Sequence, residues 1–187
     1  KEFAQKQLSA GEEYIFINSY YRCTYLIRLK EGISKFKIRE ELRKTSYNLR
    51  KLIKGNSHSE LVITSDNAYS EAIEDFSEGL ILSLYSFEKY KTKADEGENK
   101  RYPVKLLLNG DITDSNIKWL IDLTDAGYFT RDLINEPVNH LNATALAGEI
   151  KKIGDSAGFT VEVLPKGKIE ALKMGGLLAV NKGSVDP

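Results

Sequence analysis

Few side chains in this chain are of the types that act as nucleophiles, general bases or soft metal ligands. It has two histidines and a single cysteine, which excludes an internal disulfide and any site that needs a pair of thiolates. Cys23 lies in the alternating run Arg22–Leu29, which predicts a small buried hydrophobe rather than a catalytic thiol with a base beside it. His58 lies in the loop Gly55–Ser59, where we expect a solvated surface histidine.

His140 stands between two asparagines in a connection between two parts of the chain. An imidazole there could hold a metal, but no second ligand lies at helical or hairpin spacing around it, and we interpret it as a polar linker residue. The sequence also lacks the His-Glu-x-x-His, Gly-x-x-x-x-Gly-Lys and Gly-x-Ser-x-Gly motifs. The pair Gly175-Gly176 lacks the strand-to-helix order of a phosphate loop, because the residues after it predict a strand, and we interpret it as a turn.

Four carboxylates lie in the first half of one predicted helix and resemble a metal-binding cluster. They are Glu71, Glu74, Asp75 and Glu78. Lys89 and Lys91 close the same helix with positive charge, and this order complements the helix dipole. A solvated helix face therefore explains the carboxylates without a metal. Spacing alone yields no catalytic, cofactor-binding or metal-ligating candidate.

The composition is that of an ordinary globular protein, with 187 residues of which 41% are hydrophobic and 29% charged. Such a length allows one sizeable core, or one domain and part of a second. Basic and acidic residues number 27 each, so the zero net charge gives no electrostatic argument for binding nucleic acid or a membrane. No apolar stretch approaches the roughly 20 residues that span a bilayer and no signal-peptide pattern is seen, so we expect a cytoplasmic protein. Lys1 and Pro187 suggest a chain cut from a longer one.

Strand and helix signals alternate along the first part of the chain, which predicts an α/β fold with a mixed or parallel sheet flanked by helices. The predicted elements are strands Tyr14–Asn18 and Cys23–Leu29, which can form a hairpin, helix Lys35–Lys54, strand Leu61–Thr64, a helix from about Tyr69 to Lys91, and strand Val104–Leu108. A further helix, capped by Thr113, Asp114 or Ser115, is expected to run to Ile134. Its inward face is expected to carry Ile117, Leu120, Ile121 and Thr124.

A second unit is predicted to begin near Asn135–Asn142, because Pro137 disfavours continuation of the preceding helix. Asn142 is the expected N-cap of a helix over Ala143–Ser156, which should end before Gly158. The remaining predicted elements are strand Phe159–Leu164, a short helix Lys168–Met174 and strand Leu177–Asn181.

Three ordered motifs occur between Glu78 and Ser184. Residues 131–141, RDLINEPVNHL, fit Arg-Asp-Leu-x-Asn-x-Pro-x-Asn-x-Leu, and residues 174–184, MGGLLAVNKGS, fit Met-Gly-x-Leu-Leu-Ala-Val-x-x-Gly-Ser. A weaker match covers the segment 78–91, EGLILSLYSFEKYK. In this order and spacing the motifs resemble those of the leucyl aminopeptidase (cytosol aminopeptidase) family. Asn142-Ala143 replaces the family's frequent Thr-Pro, and asparagine caps a helix as well as threonine does.

The resemblance implies a macrodomain-like α/β domain over residues 1–134, including the connecting helix, followed by the beginning of the catalytic domain over residues 135–187, with its first βαβ part. Enzymes of this family remove N-terminal amino acids from peptides and assemble as hexamers. They use two divalent metals, zinc, manganese or magnesium, held by a lysine, several aspartates and a glutamate.

The family's metal-binding segments, Lys-Gly-x-x-x-Asp-x-Gly-Gly and Asn-Thr-Asp-Ala-Glu-Gly-Arg, lie downstream of the Leu-Leu-Ala-Val strand. The resemblance therefore places no catalytic, cofactor-binding or metal residue in this chain, and we expect the chain alone to be inactive. We also expect residues 142–180 to be poorly ordered or to pack onto another chain. Two alternatives stay open: a stand-alone module that binds a nucleotide such as ADP-ribose, and an inactive homologue of the aminopeptidase.

Overall fold

The computed structural model describes Lys6 and residues 14–30, 32–56, 58–65, 69, 71–91 and 105–184. The chain divides into two compact units, Lys1–Phe129 and Thr130–Pro187. In the part so described, no helix is long and apolar enough to cross a membrane.

Two small sheets lie in the first unit. Strands β1 (Tyr14–Ser19) and β2 (Arg22–Ile27) pair antiparallel with Tyr14 opposite Ile27, which confirms the predicted hairpin. Strands β3 (Glu60–Thr64) and β4 (Lys105–Asn109) pair in parallel, as a strand–helix–strand connection requires. Val104, the predicted first residue of β4, lies outside the described residues.

The predicted α/β class, with sheets flanked by helices, is confirmed. Among the described strands, the predicted mixed or parallel sheet appears as one antiparallel and one parallel pair. No backbone ladder joins these two described pairs, so they are two separate small sheets.

The core of the first unit lies around helices α1 (Lys35–Gly55) and α2 (Ala72–Ser83). Helix α1 buries one apolar stripe that includes Leu42, Leu49 and Ile53, with Leu49 and Ile53 each only 1% exposed, whereas Leu52 is 37% exposed. Helix α2 is shorter than the predicted Tyr69–Lys91. It ends at Ser83, and beyond this end the ring of Tyr85 packs edge-on against Tyr128 with 5.3 Å between the ring centroids.

Helices α1 and α2 approach each other closely at Gly79. A Cβ atom added there would lie 2.4 Å from Ser46 Oγ and 2.6 Å from the Cα of Arg43. Real Cβ atoms do not come so close to backbone atoms, so glycine is the residue that permits this contact.

Helix α3 (Asp114–Asn135) begins in the first unit and ends in the second. Thr113 and Asn116 cap its start reciprocally: the Asn116 backbone N–H donates to Thr113 Oγ1 at 3.2 Å, and the Thr113 N–H to Asn116 Oδ1 at 3.3 Å. Leu120 and Thr124 are buried as predicted, whereas Ile121, predicted to face inward, is 50% exposed. Successive residues of a helix point about 100° apart, so Leu120 and Ile121 face different directions. The buried face of α3 is therefore narrower than predicted.

The second unit holds helices α4 (Ala143–Ala157), α5 (Lys166–Ala171) and α6 (Gly175–Asn181). Asn142 is the N-cap of α4, as predicted, and its side chain accepts the Ala145 N–H at 2.9 Å. Gly158 ends the helix with φ +79°, in the left-handed region that glycine enters without strain.

Two predicted strands of the second unit are wrong. Residues 159–164 form no strand, and Leu177–Asn181 belongs to helix α6. The short helix lies at Lys166–Ala171 rather than Lys168–Met174. A strand needs a neighbour for its backbone hydrogen bonds, and the described residues of this unit supply none. A helix bonds to itself, and leucine and alanine favour it.

Gly79→Ala tests the close contact of α1 and α2. We expect it to lower the free energy of unfolding by about 1–3 kcal/mol, because the added methyl group overpacks the interface. Urea denaturation would measure the loss. The control is Gly55→Ala at the end of α1, where nothing lies within 4 Å; there we expect no loss and a gain of up to about 1 kcal/mol. Equal stability of Gly79→Ala and the unsubstituted chain would contradict the close contact.

Asn142→Ala tests the cap of α4. Losing the side-chain acceptor should cost about 1 kcal/mol, which corresponds to roughly five-fold faster hydrogen exchange in the first turn of α4. Mass spectrometry of the exchanging amides would measure this. Asn142→Thr keeps an oxygen acceptor and should preserve protection; if both variants exchange alike, the cap does not stabilise the helix.

Candidate functional site

The densest group of ionisable side chains lies between helices α1 and α2. Arg39 Nε lies 2.7 Å from Asp75 Oδ1, and Arg43 Nη2 lies 2.5 Å from Glu78 Oε2. Asp75 is 1% exposed and Glu78 is 7% exposed. The prediction of a solvated carboxylate face is therefore wrong for these two residues. Each carboxylate is buried because an arginine from the facing helix neutralises it.

Tyr69 completes this cluster. Its hydroxyl donates to Asp75 Oδ2 at 2.9 Å, so both carboxylate oxygens of Asp75 are engaged. Burial, followed by the hydrogen bond to Asp75 and the negative charge of that carboxylate, raises the pKa of Tyr69 to about 12. Burial also raises the pKa of Glu74, and the neighbouring charge of Asp75 adds to the effect.

The charged cluster is suited to holding two helices together and not to binding a metal. Lys35 lies 3.5 Å from Glu71, so a cation faces three of the four carboxylates that suggested a metal cluster. Within the described ranges, no group of three or more histidine, cysteine, aspartate or glutamate side chains could hold a metal ion. The residues present therefore do not fit the pair of metals that the family resemblance implies.

His58 and Cys23 are partly buried, which differs from both predictions. His58 Nε2 lies 3.1 Å from the hydroxyl of Tyr25, and Asn56 Nδ2 donates to the same hydroxyl at 3.3 Å. Burial raises the pKa of Tyr25. His58 is thus tied to a strand residue rather than freely solvated, and the thiol of Cys23 contacts Asn18 Oδ1 at 3.6 Å instead of lying in the core. Tyr25 and His58 are 33 residues apart in sequence, so no local sequence pattern predicts their contact.

The connection around Pro137 has the predicted form. Helix α3 ends at Asn135, and the backbone N–H groups of His140 and Leu141 donate to the carbonyl of Pro137 at 2.9 and 3.0 Å. The side chain of His140 is exposed in this turn.

Gly175-Gly176 does not form the predicted turn. The two glycines are the first residues of helix α6. Helix α5, and not a strand, precedes them, so the strand-to-helix order of a phosphate loop is absent at this point.

The contribution of Tyr69 to the stability of the charged cluster depends on pH in the alkaline range. Its pKa is raised from 10.0 to about 12 in the folded state, so its contribution to stability is complete below pH 10 and is lost as the pH rises towards 12. We expect the stability difference between the unsubstituted chain and Tyr69→Phe to be constant below pH 10 and to shrink above it. Urea unfolding over this pH range measures the difference.

The control for this titration is Tyr20→Phe, which changes a ring that is 93% exposed. It shows how the loss of an exposed phenol hydroxyl affects stability over the same range. A level profile for Tyr69→Phe would contradict the hydrogen bond to Asp75.

Comparison with known proteins places the chain in a family. Residues 128–187 match the family model described as the cytosol aminopeptidase family, catalytic domain. The probable cytosol aminopeptidase of Sulfurihydrogenibium sp. is 37% identical over 151 residues, which cover 78% of this chain and 30% of that protein. The probable cytosol aminopeptidase of Clostridium perfringens is 32% identical over 161 residues, which cover 81% of this chain and 32% of that protein. The chain thus spans about a third of the length of these relatives.

Solved structures share the fold. A tomato leucine aminopeptidase variant superposes with a TM-score of 0.75 at 18% identity, over 98% of this chain and 38% of that one. The bottromycin maturation enzyme BotP, solved in complex with Mn, superposes with a TM-score of 0.74 at 18% identity, over 100% of this chain and 40% of that one. With the motifs at 131–141 and 174–184, these findings show that the chain belongs to the leucyl aminopeptidase (cytosol aminopeptidase) family.

Proposed function

We propose that this chain is the N-terminal portion of a metal-dependent aminopeptidase that removes N-terminal amino acids, leucine among them, from peptides. The observation that carries the proposal is the 37% identity to a probable cytosol aminopeptidase along 151 residues, which make up only 30% of that relative. Identity along this length supports a shared activity for the whole protein. Most of the relative's sequence has no counterpart in this chain, because the match covers only 30% of it.

The chain's own part is that of a scaffold. Residues 1–134 are the N-terminal domain with its connecting helix, and residues 135–187 begin the catalytic domain. The catalytic-domain match from residue 128 and the division of the chain after Phe129 both support a boundary in this region. We assign no catalytic, cofactor-binding or metal-ligating residue to the chain, and the arginine partners of Asp75 and Glu78 support this for the most buried carboxylates.

The complete enzyme would carry two divalent metals, zinc, manganese or magnesium, on residues outside this chain. The presence of Mn in the complex of BotP, which shares the fold, supports a metal-dependent chemistry. Metal ions of this kind polarise the scissile carbonyl and activate a water for peptide hydrolysis. We further propose a cytoplasmic homohexamer as the working form. The name of the curated relatives supports the cytoplasm, and the hexamer is what the family resemblance implies.

Hydrolysis of a leucyl amide tests the proposal. The 187-residue chain and the longest product of its gene are assayed with added manganese or zinc. We expect turnover by the longer product only, and we expect a chelator to abolish it until metal is restored. Turnover by the short chain, purified free of other peptidases, would show that it carries a site of its own.

The same assay separates the alternatives. Inactivity of both products, together with an ADP-ribose-induced rise in the unfolding temperature of the short chain, would favour a nucleotide-binding module. Inactivity of both without such a rise would favour an inactive aminopeptidase homologue.

A further inference from the structure

The chain leaves strand β4 through an asparagine–glycine pair that the proposed function does not use. Asn109 is the last residue of β4 and lies opposite Thr64 of β3. Directly after the strand, the Ile112 N–H donates to the carbonyl of Gly110 at 2.9 Å, so the chain turns at this point. Nowhere else in the sequence does a glycine follow an asparagine.

The side chain of Asn109 and the backbone nitrogen of Gly110 are accessible to each other and to water. Both residues are exposed. Among the described residues, none forms a hydrogen bond with the side-chain amide of Asn109. The pairing of β3 with β4 ends at Asn109, and within the described ranges the Gly110 N–H makes no backbone hydrogen bond outside that pairing. Glycine also has no Cβ atom that would hinder an approach to its nitrogen.

Other asparagines of the described structure lack this combination. Side-chain hydrogen bonds hold several of them, Asn56 and Asn142 included. Asn139 is exposed like Asn109, but the residue after it is His140, whose backbone N–H donates to the carbonyl of Pro137 at 2.9 Å. The nitrogen next to Asn139 is therefore engaged, and the residue that carries it has a side chain.

We propose that Asn109 is a site of covalent modification, where the asparagine is converted into aspartate and isoaspartate without an enzyme. The backbone nitrogen of Gly110 loses its proton to hydroxide and bonds to the side-chain carbonyl carbon of Asn109, which closes an imide ring. The bond from that carbon to the side-chain nitrogen breaks, and this nitrogen leaves as ammonia after it takes a proton from water. Water then adds to either carbonyl of the imide and opens the ring. Each conversion consumes a water molecule and releases an ammonia molecule.

The position of Gly110 gives the modification a structural effect. A Cβ atom at Gly110 would lie 2.5 Å from Ile73 Cδ1, and Ile73 is 3% exposed in the core of the first unit. Isoaspartate lengthens the main chain by a methylene group directly before Gly110, and a closely packed interior has no room for such a shift. Isoaspartate therefore weakens the contact of the end of β4 with helix α2. Aspartate keeps the normal main chain and adds only a surface charge beside Asp111.

Peptide mapping by mass spectrometry gives the first test. The folded 187-residue chain and the longest product of its gene are incubated at mildly alkaline pH, and the converted fraction is measured at each asparagine. We expect conversion at Asn109 to exceed that at Asn139 several-fold and to rise with pH, because hydroxide removes the amide proton. Asn109→Gln is the control; its longer side chain disfavours ring closure, so conversion at this position should be lost.

Equal conversion at Asn109 and Asn139 in the folded proteins would overturn the proposal. Conversion at Asn109 that occurs in urea but not in the folded proteins would overturn it as well, because the end of β4 would then prevent ring closure. The reaction needs no peptidase activity, so an inactive gene product would refute the proposed function and leave the modification site intact.

Thermal unfolding gives the second test. The isoaspartate form of the 187-residue chain, separated by chromatography, should unfold about 2–8 °C below the unmodified chain. Asn109→Asp introduces the same charge on a normal main chain, and its unfolding temperature should stay within about 2 °C of the unmodified value. An isoaspartate form that unfolds together with Asn109→Asp would overturn the proposed effect on the contact with Ile73.

Discussion

The contact between helices α1 and α2 is the constraint on which the first unit depends. Gly79 lets the helices approach so closely that a Cβ atom there would clash with Ser46 and the backbone of Arg43, and Asp75 at the same interface is 1% exposed. A carboxylate so buried needs its charge neutralised, and Arg39 and Tyr69 together occupy both of its oxygens. Apolar contacts supply most of the stability of such an interface, whereas removing one partner of a buried ion pair leaves an uncompensated charge. Strand β3 precedes α2 along the chain and strand β4 follows it. The two strands pair with each other and pack against the core formed by α1 and α2.

Periodicity was sufficient to predict the elements that satisfy their own hydrogen bonds. Helix α1, the N-cap at Asn142 and the end of α4 at Gly158 follow from local residue types, and the hairpin of β1 and β2 joins neighbouring strands. Elements that depend on distant partners were predicted less well. Helix α2 ends earlier than predicted, and Tyr85 beyond its end packs against Tyr128, which is distant in sequence. The run at 159–164 carries a strand pattern, but a pattern cannot provide the neighbouring strand.

The site residues show the same limit. The carboxylates of α2 were predicted to form a solvated face, yet two of them are buried in ion pairs with arginines of α1. Arginines four residues apart on α1 and acidic residues three apart on α2 are complementary, and this spacing was the available signal. It becomes informative only once the two helices are known to face each other. Family membership, in contrast, was predicted from motifs, because a motif needs no knowledge of tertiary contacts.

Among the described residues, the buried hydrophobic side chains all lie in the first unit, and this has a thermodynamic consequence. The heat-capacity change of unfolding and the denaturant m-value both grow with the surface that unfolding exposes, and apolar surface dominates the former. Values scaled to all 187 residues would therefore overestimate what this chain releases on melting, because residues 130–184 contribute little buried apolar area. Calorimetry on this polypeptide should register a cooperative transition characteristic of a domain closer to 130 residues in size, about the extent of the first unit. The helices of the second unit should unfold gradually on heating, without a separate calorimetric peak.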